Sequence, residues 1–250
     1  MSLFSHDAEG SRNSPFPLTR WTLVRRAQKG GEAEAAQALE EICRQYWYPI
    51  YAYSRRHGFG PEDAEDMTQV FFQNLVTHES LNAVREENGR LRCFMLAMLK
   101  RVISKQLRHD GAAKRGGSKK ATLSLEDLDA EQRYECEPAD SRTPDAFFDH
   151  VWATGVLAAA TAQLRGEYQL ADNSEVFDQL AEFLPLGENA TPYPEVADRL
   201  GIAEGKLRLQ IHRMRKRYGK LIEGEITQTV SSPDEAKAEL EHLMNVIGRS

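Results

Sequence analysis

The stretch YPEVADRLGIAEGKLRLQIHRMRKRYGKL, residues 193–221, decides the fold. Its first part carries a short apolar helical period, Val196, Ala197 and Leu200, and stops at Gly201. Beyond Ile202 the same period resumes at Leu207, Ile211 and Met214 on what reads as a longer helix starting near Glu204. This is the pattern of a helix-turn-helix, in which Ala197 is small enough for the helices to cross closely and Gly201 permits the turn. Such a unit presents the amino-terminal half of its second helix to the DNA major groove, here Glu204, Lys206, Arg208, Leu209, Gln210 and Arg213. Charge points the same way. Residues 199–220 hold eight Lys or Arg against one acid, Glu204. A helical hairpin that binds no DNA would share the apolar spacing but would not need that excess.

Outward from this unit the apolar spacing stays helical, so the chain is expected to be all-α, with two helical domains joined by a flexible linker. Downstream, Pro233 starts a further amphipathic helix with Ala236, Leu240, Leu243, Val246 and Ile247 on one side. Upstream, helices are expected over about 148–165 and 173–184. Before them residues 111–147 change character: GAAKRGGSKK is flexible and basic, the following stretch is acidic, and Pro138 and Pro144 interrupt any long helix. The resulting division is a loose arm over 1–16, a first helical domain over 17–110, a linker over 111–147, a second domain over 148–224 and a helical extension over 225–250.

The first domain contains three strong helical patterns. A Thr19 cap opens RWTLVRRAQ, a Gly30-Gly31 break follows, and a long helix from 32 to about 57 carries Ala35, Leu39, Ile42, Tyr46, Ile50 and Tyr53, with Trp47, as core. Gly58 and Gly60 end it, and Pro61 with Glu62, Asp63, Glu65 and Asp66 suits the first turn of the next. In that helix Met67, Val70, Phe71 and Leu75 should be buried, whereas Asp66, Gln69 and Gln73 form a polar stripe. After a loop with Asn88-Gly89, a third helix has Leu91, Met95, Met98, Leu99, Val102 and Leu107 as its apolar side. Its other side is basic, with Arg90, Arg92, Lys100, Arg101, Lys105 and Arg108 around Phe94, a mixture suited to phosphates and unstacked bases.

Composition removes several function classes. The 250 residues are 41% hydrophobic and 28% charged, a globular balance with enough chain for two small cores. No apolar run approaches the roughly 20 residues that span a bilayer, and MSLFSHDAEGSRNSP lacks the features of a signal peptide, so a cytoplasmic protein without membrane insertion is expected. Cys43, Cys93 and Cys136 lie far apart with no zinc-ligand spacing, and no phosphate loop or catalytic constellation stands out. No metal, no cofactor and no enzymatic activity are therefore expected. The net charge of −6 conceals segregation: residues 85–120 hold eleven Lys or Arg against three acids, and residues 121–150 hold nine acids against two Arg. Two basic surfaces separated by an acidic connector suggest two contacts with a polyanion.

Three motifs together resemble the extracytoplasmic-function sigma factors of bacterial RNA polymerase, over most of the chain from Phe16 to about Glu225. AEDMTQVFFQNL (64–75) is similar to the family's core-binding helix, GRLRCFMLAMLKRVISKQLR (89–108) to its promoter-opening helix and preceding loop, and GIAEGKLRLQIHRMRKR (201–217) to its −35 recognition helix. TRWTLVRRA and KRGGSKK also resemble one branch of the family. The resemblance implies that Asp66, Gln69, Phe72 and Gln73 meet the clamp helices of the largest subunit of core RNA polymerase. It assigns Arg90, Arg92, Phe94, Arg101 and Lys105 to the −10 region of promoter DNA, and Lys206, Arg208, Gln210 and Arg213 to the −35 element. An anti-sigma factor is a further partner the family admits. Phe94 stands where the family has tryptophan and Arg101 where asparagine is frequent. Lys206, Leu209 and Gln210 replace common threonine, serine and arginine, so the promoter sequence does not follow from the family's. Two other readings stay open on the residues alone: a stand-alone helix-turn-helix regulator that needs no polymerase, and an interaction protein that sequesters a regulator.

Overall fold

The computed structural model describes residues 21–77, 90–113, 134, 142–185 and 191–248, with the side chains of 109–113 left aside. Every regular element among them is helical: α1 (Trp21–Lys29), α2 (Glu32–Arg56), α3 (Pro61–Thr77), α4 (Leu91–Ala113), α5 (Pro144–Leu170), α6 (Ser174–Leu180) with a 3₁₀ turn at Ala181–Phe183, α7 (Tyr193–Arg199), α8 (Glu204–Thr227) and α9 (Pro233–Ile247). The expected arm over 1–16, the Thr19 cap, the Asn88-Gly89 loop, the KRGGSKK connector and Cys136 lie outside the described residues.

Local chemistry sets the breaks. A Cβ on Gly30 would sit 2.5 Å from the Arg26 carbonyl oxygen, so the α1–α2 corner accepts only glycine there. Gly58, at φ +89°, ends α2 in the left-handed region. Thr143 caps α5 by accepting the Ala146 N–H at 3.3 Å, with Pro144 in the first turn. Ser232 caps α9 by accepting from the Glu235 N–H, and the Glu235 carboxylate returns to the Ser231 N–H at 2.9 Å.

Two apolar clusters result. The first gathers α1–α4 around Ile42, Tyr51, Phe71, Leu75 and Leu99; the second gathers α5–α9 around Leu157, Leu164, Phe177, Leu207, Ile211 and Leu243. Several positions depart from the spacing argument. Val70 and Leu107 are exposed, at 36% and 53%, while Phe72 and Ile103 are buried. Met67, Phe71 and Leu75 on α3 and Leu91, Met95, Met98, Leu99 and Val102 on α4 are buried as the spacing indicates, so each buried stripe keeps its place and takes in one flanking residue. Ala35 and Leu39 are half-buried, and Ala38 takes the buried place between them.

The expected boundary between linker and second domain, 147/148, falls inside α5. The helix starts at Pro144, and both Phe147 and Phe148 are buried in the first cluster. The Arg56 guanidinium lies 3.9 Å from the Phe147 ring, and the Tyr53 ring meets Phe148 edge-on at 6.1 Å. From Trp152 onward the same helix belongs to the second cluster. Of the acidic linker only Tyr134 and Arg142–Thr143 are described. Tyr134 rests against Arg55, whose guanidinium is 4.9 Å from its ring.

Polar contacts fasten the start of α5 to the first cluster. Asp145 accepts from the Tyr53 hydroxyl at 2.7 Å and from Lys100 Nζ at 2.6 Å. Burial works against the Asp145 charge, but these two bonds outweigh it and hold the carboxyl below its ordinary range. Its folded pKa is thus below the unfolded value of about 3.9, so its contribution to stability is present above that value and lost as pH falls through the lower folded one. Thermal melts should show the wild-type Tm falling more steeply below about pH 4 than that of Asp145→Asn. Parallel slopes would contradict this account.

Candidate functional site

The helix-turn-helix forms as its sequence indicates. α7 closes with the Gly201 N–H donating to the Asp198 carbonyl at 3.1 Å, Gly201 adopts φ +61°, and the Ile202 N–H returns to the Ala197 carbonyl at 3.0 Å. Val196 and Ala197 are buried against Leu207, Ile211 and Met214, which leaves the opposite side of α8 in solvent. On that side Lys206, Arg208, Leu209, His212, Arg213 and Lys216 are exposed. Arg208 is already oriented: its Nε donates to Glu204 at 2.9 Å and its guanidinium lies 4.8 Å from the Tyr193 ring. Gln210 is half-buried, and its Oε1 meets no hydrogen-bond donor among the described residues. Arg215 and Arg217 point elsewhere, Arg215 Nε donating to the Phe183 carbonyl at 2.9 Å and Arg217 pairing with Glu167.

A second surface lies on α3. Trp47 and Phe72 stack at 5.7 Å with planes 4° apart, and Phe71 meets Phe72 edge-on. Trp47 and Phe72, with Gln69, Gln73 and Val76, line a shallow groove of about 400 Å³. Its floor is aromatic, its rim carries two amides, and Val70 and Val76 leave apolar surface exposed beside it. Asp66 stands exposed one turn earlier, its carboxyl raised above the ordinary range by burial and by the neighbouring Asp63 and Glu62. This combination of an apolar centre and a hydrogen-bonding rim is what a protein partner requires.

The third group of candidates separates into two. Arg101 and Lys105 are exposed on α4. Arg90, Arg92 and Phe94, expected on an open basic face, are not. Phe94 is half-buried against the first cluster, Arg90 is partly covered, and Arg92 is 8% exposed. Both arginines meet Glu239 of α9, Arg90 Nη1 at 2.8 Å and Arg92 at 3.3 Å through Nε and 3.0 Å through Nη2. Arg92 Nη1 also pairs with Asp149 of α5. Burial disfavours the Arg92 charge, yet these carboxylates more than offset it and raise its pKa.

Sequence reasoning missed Trp47 as a groove wall, Tyr193 and Glu204 as supports of Arg208, and Glu239 and Asp149 as partners of Arg92. One signal for Glu239 was present: it falls between Ala236, Leu240 and Leu243 on the buried stripe of α9, where a carboxylate requires a partner.

No family model, curated protein or solved structure matches the chain. The groove predicts a division in stability: Gln73→Ala and Val76→Ser should change unfolding free energy by no more than about 0.5 kcal/mol. Phe72→Ala should cost about 3 kcal/mol in urea titrations, because its ring is both groove wall and core.

Proposed function

We propose that this chain is a sigma factor of the extracytoplasmic-function type, built as two helical domains, which binds core RNA polymerase and directs it to promoter DNA. The observation that carries the reading is the presence of two separate surfaces of different chemistry. The amide-rimmed aromatic groove on α3 suits a protein, and the exposed cationic face of α8 suits a DNA major groove. A regulator acting alone needs only the second. In this reading Asp66, Gln69, Phe72 and Gln73 face the clamp helices of the largest subunit. Lys206, Arg208, Gln210 and Arg213 face the −35 element, and Arg101 and Lys105, with Arg90, Arg92 and Phe94, handle the −10 region. The protein works in the cytoplasm as a specificity subunit and carries out no chemistry of its own. Its net charge of −6 disfavours tight DNA binding by the free chain, so affinity arises when polymerase holds both surfaces against the promoter.

Run-off transcription with core polymerase tests this directly. Wild type should support initiation on the promoter of its own operon, whereas Asp66→Arg and Gln73→Arg should fold normally yet lose both co-purification with core polymerase and transcription. Tight sequence-specific operator binding by the free chain, with full activity of Asp66→Arg, would replace the sigma-factor reading with that of a stand-alone regulator.

Within the polymerase complex, Arg208→Ala and Arg213→Ala should each cost about 1–3 kcal/mol and relax preference at particular base pairs. Lys216→Ala should weaken all promoters alike and flatten the salt dependence. Equal losses on every promoter variant for all three would refute base readout by α8.

A further inference from the structure

We infer that α9 is an intramolecular latch that stands in for DNA phosphate. Glu239 occupies Arg90 and Arg92 in the free chain, beside Asp149 of α5 on Arg92, and the Glu239 positions on these arginines become available to a nucleic-acid strand only when α9 leaves α4. The inference rests on the reading of α4 as a DNA-handling helix.

The contact is built unlike an ordinary surface ion pair. Glu239 is 1% exposed and takes both arginines, Arg92 through two nitrogens. The Arg92 guanidinium also lies 4.7 Å from the Trp152 ring, which His242 of α9 covers from 5.7 Å, with its Nε2 3.3 Å from Asp149. A two-pronged carboxylate on a guanidinium has the same geometry and charge sense as a phosphate on a guanidinium, so DNA can replace Glu239 like for like.

The two sides of α9 differ. Ala236, Leu240, Leu243, Val246 and Ile247 bind it to the second cluster through apolar contact. Toward α4 it reaches with Glu239. The preceding turn buries Val230 and Thr229 and adds backbone bonds, with the Trp21 N–H donating to the Gln228 carbonyl at 3.0 Å and the Leu91 N–H to the Thr229 carbonyl at 3.4 Å. The Glu239 contacts are polar and can exchange with phosphate and water, so Glu239 can part from α4 while the apolar side of α9 stays on α5 and α8. A helix held by apolar area on one side and by exchangeable charge on the other is fitted to release in one direction.

The test measures binding of the full-length chain to a single-stranded oligothymidylate by fluorescence anisotropy at low salt. Glu239→Gln should bind about tenfold more tightly than wild type, the gain expected if the latch is open about a tenth of the time in the free chain. Glu239→Gln combined with Arg92→Ala should lose the gain. Asp149→Asn, which weakens the same cluster from α5, should shift affinity the same way and serves if Glu239→Gln melts. In the wild type, saturating oligonucleotide should accelerate hydrogen exchange across 228–247. Unchanged or weaker binding by folded Glu239→Gln or Asp149→Asn, or unchanged exchange over 228–247, would overturn the latch and leave α9 as a structural buttress. Core-polymerase co-purification and run-off transcription by the same variants separate the two readings. If no variant supports transcription but Glu239→Gln still gains affinity, the latch stands and the sigma-factor reading falls.

Discussion

The structure depends on α5 being one unbroken helix. Its 27 residues reach about 40 Å at 1.5 Å per residue, long enough to enter both apolar clusters. Phe147 and Phe148 lock its start into the first cluster, while Trp152, Val156, Leu157, Ala160 and Leu164 form the spine of the second. A helix shared between two cores ties one to the other. The polar contacts of α5 follow from that: Asp145 reaches Tyr53 and Lys100 because Phe148 sets the depth and rotation of the helix, and Asp149 reaches Arg92 one turn later.

The charges at the junction are held under different physical conditions. Lys100 and Asp145 are about half exposed, so water screens them and their attraction is worth at most about 1 kcal/mol. Arg92 and Glu239 are almost wholly removed from water, where the desolvation cost of each ion rivals their mutual attraction. Such a pair adds little net stability, yet losing one partner leaves a buried charge and costs about 3–5 kcal/mol. Its consequence is therefore more in specificity than in strength: it defines one docking of α9 on α4 and penalises all others.

How legible this was in the sequence differs by scale. The helix-turn-helix could be read almost residue by residue, because Val196, Ala197, Gly201, Leu207 and Ile211 satisfy local rules of period and turn that no distant residue needs to support. The start of α9 at Pro233 is likewise local. The basic face at Arg90 and Arg92 misled, since helical period reports which residues share a side but not what that side meets 147 positions later in the chain. The groove was half legible: the polar stripe of Asp66, Gln69 and Gln73 could be read from α3 alone, but its aromatic floor needs Trp47 from α2, which spacing assigns to the core. The α5 boundary was missed because an acidic, proline-interrupted stretch reads as linker, although Pro144 sits where a helix begins.

A chain with net charge −6 carries two cationic surfaces, and the acids are not spread at random around them. Asp145 meets Lys100, Asp149 and Glu239 meet Arg92, Glu204 meets Arg208 and Glu167 meets Arg217. All but the Arg217 pair put a carboxylate on a cation that lies on or beside a basic face. The carboxylates keep those cations satisfied and ordered when no polyanion is present, and they lower the affinity of the free chain for any DNA it meets. Among the described residues Lys206, Arg213, Arg101 and Lys105 have no such carboxylate partner, so their charge is the part a polyanion would first encounter. Arg92 belongs to the opposite extreme. Screening by salt reaches Lys206 and Arg213 in full but reaches Arg92 weakly, so an exchange of Glu239 for phosphate is controlled by the position of α9 rather than by ionic strength.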